Sequence, residues 1–247
     1  MRKLSLILIS LLMVAVAGSA FAVTSSDILS KVKAAEAAVK DVRAEMGIES
    51  ADKGSVSDMG SGYSDILKLQ KGVISWKAPD MFRMDGYARG IKASFVQNGY
   101  KKLVLASMIR QTEDLTNKPG KRIDSLDFGF LSSKLWKDNA ITVVSIAKNG
   151  IVQLKLDPKS GGQDKRHDFV WVDPKTLRVT KREKYTGDGK LRVRYAYSEF
   201  EVLAGKLPIA TTSTLFGPTG DRLGTVAYSN VKANVGLADS FFSMSQR

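Results

Sequence analysis

The chain has 247 residues, one histidine and no cysteine, and its formal net charge at pH 7 is +13. Without cysteine the protein forms no disulfide, and it cannot carry the acylated N-terminal cysteine of a lipoprotein. The surplus of positive charge favours anionic partners, although such a surplus can also serve only to keep a protein soluble.

Residues 1–22 have the pattern of a secretory signal segment. Arg2 and Lys3 precede an apolar run from Leu4 to Ala17, which small residues follow up to Ala22. The run is too short to span a bilayer comfortably, and no other stretch has the roughly 18 apolar residues that a membrane helix needs. We predict an exported, periplasmic protein that begins at Val23 and, without the two charges of the segment, carries +11 rather than +13. Export argues against nucleic acid as a partner and leaves anionic lipid headgroups, acidic envelope polymers or an acidic protein surface.

An amphipathic helix is predicted from Asp27 to Gly47. Apolar residues recur there at alternating spacings of four and three, which places them on one stripe. Ser25, Ser26 and Asp27 offer N-terminal caps, and Gly47 can adopt the left-handed conformation at the end. The stripe lacks the aromatic residues of membrane-surface helices, so we expect it to pack on a sheet. Its members are Ile28, Val32, Ala35, Val39, Val42 and Met46.

After a polar region around Lys53 to Ser64, β-favouring runs alternate with turn signals. A strand pair is predicted between Gly72 and Tyr87, with a break at Pro79, which cannot donate to a ladder. From Leu191 to Tyr197, apolar and aromatic residues alternate with arginines and should share one face of a strand. These features predict an antiparallel meander in a single domain that covers residues 23–247. The turns are Asn98-Gly99, Asn149-Gly150, Asp173-Pro174, Asp188-Gly189 and Gly217-Pro218-Thr219-Gly220.

Two predicted strands, Phe169–Val172 and Ile141–Val144, are apolar on both faces. Helices can cover one face of such a sheet, but the other face needs a second partner. A sheet of this kind either curls on itself or encloses an apolar ligand.

The segment between Leu115 and Trp136 is too apolar for an exposed connection. The turn signal Asn117–Gly120 precedes a run that includes Phe128 and Phe130. Two placements are open: a lid or plug over the concave side of the sheet, or packing on the outside of the core.

The sequence offers little for catalysis or metal binding. His167 is the only histidine, no G-x-S-x-G elbow accompanies it, and a transition-metal site needs several convergent ligands. Thr186–Gly189 lacks the acidic ligands of a calcium loop, and Gly60–Gly62 lacks the Gly-Lys-Ser/Thr ending of a phosphate-binding loop. We therefore expect a protein that is not an enzyme and uses no metal or cofactor, with His167 at the start of a strand.

Two motifs carry a family resemblance. The stretch GVISWKAPDMFRMDGY, from Gly72 to Tyr87, contains a strand-end proline at Pro79. Near the end of the chain, an apolar-x-x-Asn strand and an apolar-x-Asp-x-x-Phe turn are matched by Asn234, Leu237, Asp239 and Phe242. In these motifs, and over most of its length, the chain resembles the LolA family of periplasmic outer-membrane lipoprotein-sorting proteins. The resemblance implies an α+β, mainly antiparallel β fold: a curved, open half-barrel with an N-terminal helix and lid helices or loops over the concave face.

The resemblance also implies a function, that of a periplasmic carrier or chaperone. Such a protein shelters the acyl chains of a lipoprotein in its concavity and transfers the lipoprotein toward the outer membrane. Its partners would be an inner-membrane lipoprotein-releasing complex and an outer-membrane acceptor, and we expect a monomer. The expected lipid-binding residues are Trp76, Phe82, Met84, Phe95, Phe130, Trp136 and Trp171.

The residue before the strand-end proline departs from the family. In well-studied members it is an arginine that ties the lid shut, whereas Ala78 stands there in this chain. Unless Lys77 or Arg83 substitutes for it, we expect a lid that opens more readily.

Three alternative functions follow from the same residues. An envelope-stress sensor of the same fold, which binds an anti-sigma factor, usually has a second domain for which this chain is too short. A general periplasmic lipid-binding protein would use the same concavity. A secreted hydrolase is disfavoured, because the catalytic constellation is missing.

Overall fold

The computed structural model of the protein describes residues 23–51, 69–88, 90–160 and 165–245. The predicted signal segment and the polar region around Lys53 to Ser64 lie outside the described residues. No helix in the described ranges combines the length and the hydropathy that a membrane span requires.

Thirteen antiparallel strands form one continuous sheet. They are β1 (Asp41–Ala51), β2 (Leu69–Lys77), β3 (Met81–Ala88), β4 (Ile91–Asn98), β5 (Lys101–Ala106), β6 (Ile109–Asp114), β7 (Asn139–Ile146), β8 (Val152–Pro158), β9 (His167–Val172), β10 (Val179–Tyr185), β11 (Leu191–Leu203), β12 (Leu207–Phe216) and β13 (Arg222–Ala233). Their order is β6-β5-β4-β3-β2-β1-β13-β12-β11-β10-β9-β8-β7, so two meanders meet where β1 pairs with β13. The predicted antiparallel meander and the predicted fold class are confirmed.

Two α-helices accompany the sheet in the described part of the chain, α1 (Ser25–Glu36) and α2 (Ser133–Asp138). Thr24 caps α1 in a capping box with Asp27. The helix contacts α2, β7 and β12, and its buried residues join the main hydrophobic core on the concave face of the sheet. The described ranges also contain three 3-10 helices: Pro119–Lys121, Ser125–Phe128 and Asp239–Phe242.

All five predicted turns connect neighbouring strands of the meander. Asn98-Gly99 joins β4 to β5, and Asn149-Gly150 joins β7 to β8. The others lie between β9 and β10, β10 and β11, and β12 and β13. The predicted run Leu191–Tyr197 begins β11, and its alternate residues from position 193 are buried in the core, as the alternation predicted.

The predicted helix from Asp27 to Gly47 is wrong in its second half. The helix ends at Glu36, and Val42 and Met46 belong to β1, where every second residue is buried. A spacing of four residues is nearly one helical turn, but it is also an even number, so these residues fit a strand equally well. Pairing with two neighbours, β2 and β13, decides in favour of the strand.

The connection between β6 and β7, residues 115–138, crosses the open side of the sheet. β6 and β7 are its two edge strands, so consecutive strands lie at opposite edges. Leu126, Phe128, Phe130, Leu131 and Leu135 from this connection are buried in the same core as the concave face. We call residues 115–138 the plug. Of the two placements left open by the sequence, the structure shows the one over the concave side.

The C-terminal segment, residues 234–245, packs on the outer face of β3 and β4. Phe242 is fully buried there with Val96 and Leu103 in a small second core. The carboxylate of Asp41 accepts hydrogen bonds from the backbone N–H groups of residues 235, 236 and 237, at 2.7, 3.2 and 3.1 Å. The end of the chain is thus fastened to the start of β1.

Replacement of Ile28 by alanine tests the packing of α1. Ile28 is fully buried, so Ile28→Ala should lower the free energy of unfolding by about 2–5 kcal/mol. Lys33→Ala, at an exposed position of the same helix, is the control and should change it by less than about 0.5 kcal/mol. Urea unfolding followed by tryptophan fluorescence measures both, and equal effects would contradict the burial of α1.

Candidate functional site

An aromatic cluster lies where the plug crosses the concave face. Phe82 of β3 stacks on Phe128 of the plug with ring centroids 4.7 Å apart. Trp76 of β2 meets Phe130 edge to face at 5.2 Å, and Phe95 of β4 lies 6.1 Å from Phe82. All five rings are buried. The plug therefore occupies the apolar concavity with aromatic side chains of its own.

The structure brings five of the seven predicted lipid-binding residues together. Trp76, Phe82, Met84 and Phe95 line the concave face of β2, β3 and β4, and Phe130 reaches them from the plug. Whether these residues bind lipid stays a prediction. Their present partners are protein side chains.

Of the two remaining predicted residues, one lies at the rim of the concave face and the other lies on the opposite face of the sheet. Trp136, on α2, is partly buried against the core and donates its indole N–H to the Ser25 hydroxyl at 2.9 Å. Trp171 is on the outer face of β9, because Val170 and Val172 on either side of it point into the core. The prediction that Trp171 lines the concave face is therefore wrong.

Trp171 instead belongs to an outer-face group of aromatic and charged side chains. The Lys181 ammonium lies 3.4 Å from the centroid of its ring. Phe169 contacts Trp171, Tyr185 and His167, whose rings lie within 6.4 Å of its own. Protein side chains thus cover the second apolar face of β9 through cation-π and ring contacts, without a ligand.

Gly129 allows the plug to pack closely against β11 and β12. It adopts φ +69°, and a Cβ atom there would lie 2.5 Å from the Cβ of Ala210 and 3.0 Å from the ring of Tyr197. Only glycine permits both the conformation and the close approach. The Tyr197 hydroxyl donates to the carbonyl of Leu126, which satisfies a buried backbone group of the plug.

A buried ionic cluster anchors the same part of the plug. Arg182 of β10 is 2% exposed and donates to Asp124 at 2.7 and 2.9 Å and to Asp127 at 3.0 Å, both in the plug. Its Nε donates to Asp168 of β9 at 2.8 Å. The Lys184 ammonium lies 3.8 Å from Asp127. One arginine on the concave face thus holds two plug carboxylates and one sheet carboxylate.

The acids of this cluster have shifted proton affinities. Burial alone raises the pKa of Asp124, but attraction by Arg182 and Lys184 outweighs it and holds the pKa below its usual value. Burial raises the pKa of Asp127 against the pull of Lys184. Burial, with a smaller contribution from the charge of Asp127, also raises the pKa of Tyr228. Asp124 is the carboxylate that Arg182 keeps ionised at neutral pH.

Lys77 and Arg83, the basic residues near Pro79, bond the C-terminal segment, whereas Asp80 lies 3.6 Å from the Lys134 ammonium of the plug. Lys77 donates to the carbonyl of Leu237 at 2.6 Å, and Arg83 donates to the carbonyl of Phe241 at 2.9 Å, so both serve the C-terminal segment. Ala78 packs against the core. Arg182 of β10 bonds the plug from the other half of the sheet.

A cavity of about 90 Å³ opens beside the plug. Its apolar wall includes Trp76, Phe82 and Phe128, while Arg166 and Arg192 contribute cationic groups. Pockets that enclose drug-sized ligands have volumes of about 300–1,000 Å³. An acyl chain can therefore enter the concavity only if the plug moves.

His167 begins β9, as predicted, and its ring stacks on that of Tyr185 at 5.2 Å. Among the described residues no group of three or more histidine, cysteine, aspartate or glutamate side chains could hold a metal ion.

Sequence reasoning missed the ionic cluster around Arg182. The run from Val179 to Tyr185, VTKREKY, is polar on both faces, so alternation gives no sign that Arg182 and Lys184 point inward. The spacing of Asp124 and Asp127 is that of a capping box, which the structure contains, but this signal predicts only the start of a helix.

Known structures share this fold. No protein-family model matches the sequence, and no curated protein matches it. A LolA superfamily protein from Nitrosomonas europaea is 17% identical, with a TM-score of 0.61, and the match covers 90% of this chain and 98% of that one. A putative outer membrane lipoprotein-sorting protein domain from Vibrio parahaemolyticus is 14% identical, with a TM-score of 0.54 and coverages of 87% and 95%. The predicted LolA-like fold is confirmed.

Removal of the Arg182 guanidinium should release the plug. Arg182→Met removes the cation that bonds both Asp124 and Asp127 and leaves only Lys184, which should lower the free energy of unfolding by about 3–5 kcal/mol and speed hydrogen exchange of residues 122–132. Arg194→Met is the control, because Arg194 pairs with Glu183 at 2.8 Å on the outer face, away from the plug, and its loss should leave exchange of residues 122–132 unchanged. If both variants exchange alike in residues 122–132, Arg182 is not the anchor.

Proposed function

We propose that the protein is an exported periplasmic carrier that shelters the acyl chains of a lipoprotein in its concavity and delivers the lipoprotein toward the outer membrane. It acts as a single domain, residues 23–247, without covalent chemistry. The observation that carries this proposal is the aromatic cluster in the concavity, in which two of the five rings belong to the plug. The LolA-like fold supports it.

The plug and an acyl chain compete for the same surface. Trp76 and Phe82 contact plug aromatics in the structure, and an acyl chain would take the place of Phe128 and Phe130. Burial of one CH₂ group is worth about 0.8 kcal/mol, so a chain of about 14 such groups gains on the order of 11 kcal/mol. Departure of the plug costs about 3–5 kcal/mol for the lost ion-pair partner and about 1.5–3 kcal/mol for each of Phe128 and Phe130 that returns to water. This cost is similar to the gain from the acyl chain, so cargo can displace the plug and the plug still favours release.

The partners of such a carrier are membrane complexes. An inner-membrane lipoprotein-releasing complex would load the protein, and an outer-membrane acceptor would unload it. A monomer suffices, because the concavity and its plug belong to one chain. Mass spectrometry of ligands extracted from the periplasmic form separates two possibilities: acylated peptides support lipoprotein transport, while free lipids alone indicate a general lipid-binding protein.

A charge placed in the concavity should abolish acyl binding. Phe82→Glu puts an unpaired carboxylate among apolar side chains, so we expect the affinity for a fluorescent fatty-acid probe to fall by at least about tenfold. Trp171→Glu makes the same change in charge and removes an aromatic ring on the outer face, and it should leave the affinity unchanged. Circular dichroism confirms that both variants fold. Equal affinities would show that the concave face is not the acyl site.

A smaller plug side chain should have the opposite effect. Phe128→Leu removes the ring that stacks on Phe82, which weakens the closed state without changing the sheet. We expect the fatty-acid probe to bind up to about tenfold more tightly, which corresponds to about 1.4 kcal/mol less competition. Fluorescence titration of the two proteins side by side measures it. Weaker binding would mean that Phe128 belongs to the acyl site rather than competing for it.

A further inference from the structure

A group of apolar side chains is exposed where two neighbouring hairpins end. Met108 is 98% exposed, Ile109 63%, Tyr87 58% and Ile91 51%. We call these four residues the hairpin tip. Isolated apolar side chains are ordinary on a protein surface, but several together indicate a surface that another body covers.

Strand register brings the tip residues to one place. Tyr87 is the last residue but one of β3 and lies opposite the start of β4, where Ile91 lies, and Ile109 begins β6 opposite the end of β5. The pairing of Ala93 with Ala106 places β4 and β5 side by side at this level, so Ile91 and Met108 fall at the same end of adjacent strands. The tip is therefore one edge of the sheet built from the ends of four strands, with Ile91 and Ile109 on one face and Tyr87 on the other.

Cationic side chains accompany the tip. From residue 87 to residue 110 the sequence contains no aspartate or glutamate, and Lys92 and Arg110 lie beside the tip, whereas Lys101 and Lys102 lie at the far end of β5. Lys92 pairs in register with Tyr87 and is exposed. Arg110 directly follows Ile109 and is exposed, and its guanidinium donates one hydrogen bond to the carbonyl of Met244 at 2.6 Å. The nearest acid, Asp85, is neutralised by two hydrogen bonds from Arg83, at 2.7 and 2.9 Å.

We infer that the hairpin tip docks on a bilayer surface that contains anionic lipids. Met108 and Ile109 would enter the boundary between headgroups and acyl chains, and Lys92 and Arg110 would lie against lipid phosphates. Membrane attachment of a water-soluble protein generally needs two signals, and the tip combines an apolar insertion with basic charge. The interaction is electrostatic in part and weakens with salt.

This surface is separate from the acyl site. Gln97, which lines the cavity beside the plug, lies six residues along β4 from Ile91, or about 20 Å at the rise of a strand. Docking at the tip leaves the cavity free. The inference therefore goes beyond the proposed carrier function and does not depend on it.

Vesicle sedimentation tests the inference on the protein without its signal segment. Wild type should bind vesicles of phosphatidylcholine mixed with phosphatidylglycerol at least about tenfold more tightly than vesicles of phosphatidylcholine alone. The double variant Met108→Asp, Ile109→Asp should lose at least about tenfold in binding to the mixed vesicles, and Lys92→Glu should lose binding most at low salt.

The opposite edge of the sheet supplies a matched control. Val144 and Ile146 of β7 are 51% and 46% exposed, so the double variant Val144→Asp, Ile146→Asp makes the same change elsewhere and should bind the mixed vesicles like wild type. The tip variant should also keep its affinity for the fatty-acid probe, and Phe82→Glu should keep its binding to vesicles.

Three results would overturn the inference. The first is that the wild-type protein fails to sediment with the mixed vesicles, which is expected if the tip binds a protein partner instead. The second is that the wild-type protein binds neutral and anionic vesicles equally well. The third is that the variant Val144→Asp, Ile146→Asp loses as much vesicle binding as the tip variant.

Discussion

The connection between the two edge strands is the constraint on which the rest of the structure depends. β6 and β7 are consecutive in the chain but lie at opposite edges of the sheet, so the chain must cross the concave side. A buried crossing brings backbone polar groups into an apolar space, and each of them needs a partner. This need explains the polar side chains found there. The Gln97 amide bonds both backbone groups of Ile123, at 2.8 and 2.9 Å, and the Tyr197 hydroxyl bonds the carbonyl of Leu126.

The same anchors allow the plug to compete with a ligand for the concave face. A segment held only by apolar contacts would merge with the core, and one held only at the surface would leave the aromatic side chains open to water. The plug combines stacked rings with one charged anchor at Arg182, so it forms a defined closed state that a ligand with a larger apolar surface can replace. Closed and loaded states then differ by which group covers Trp76 and Phe82.

The sequence predicted most of the fold because its turns are local. Turn pairs such as Asn98-Gly99 specify hairpins through their own backbone conformation, and alternation then assigns faces within a strand such as β11. The end of α1 could not be predicted, because the spacing of Val42 and Met46 fits both a helix and a strand. Only the pairing of this segment with distant strands decides that it is a strand. Trp171 was assigned to the wrong face because β9 is apolar on both. The inward direction of Arg182 depends on acids more than 50 residues away, which no local pattern contains.

The pairing of β1 with β13 has a consequence for the order in which the protein assembles. These strands lie near opposite ends of the chain, with Val42 opposite Ala233, yet they form the middle of the sheet. Each meander can nucleate from its own hairpins, but the two cannot join until the last strand is available. Translation, or passage across a membrane in the unfolded state, therefore delivers the second partner of β1 only after β2–β12. Until then β1 has one unpaired edge, which a chaperone that holds extended chains could cover.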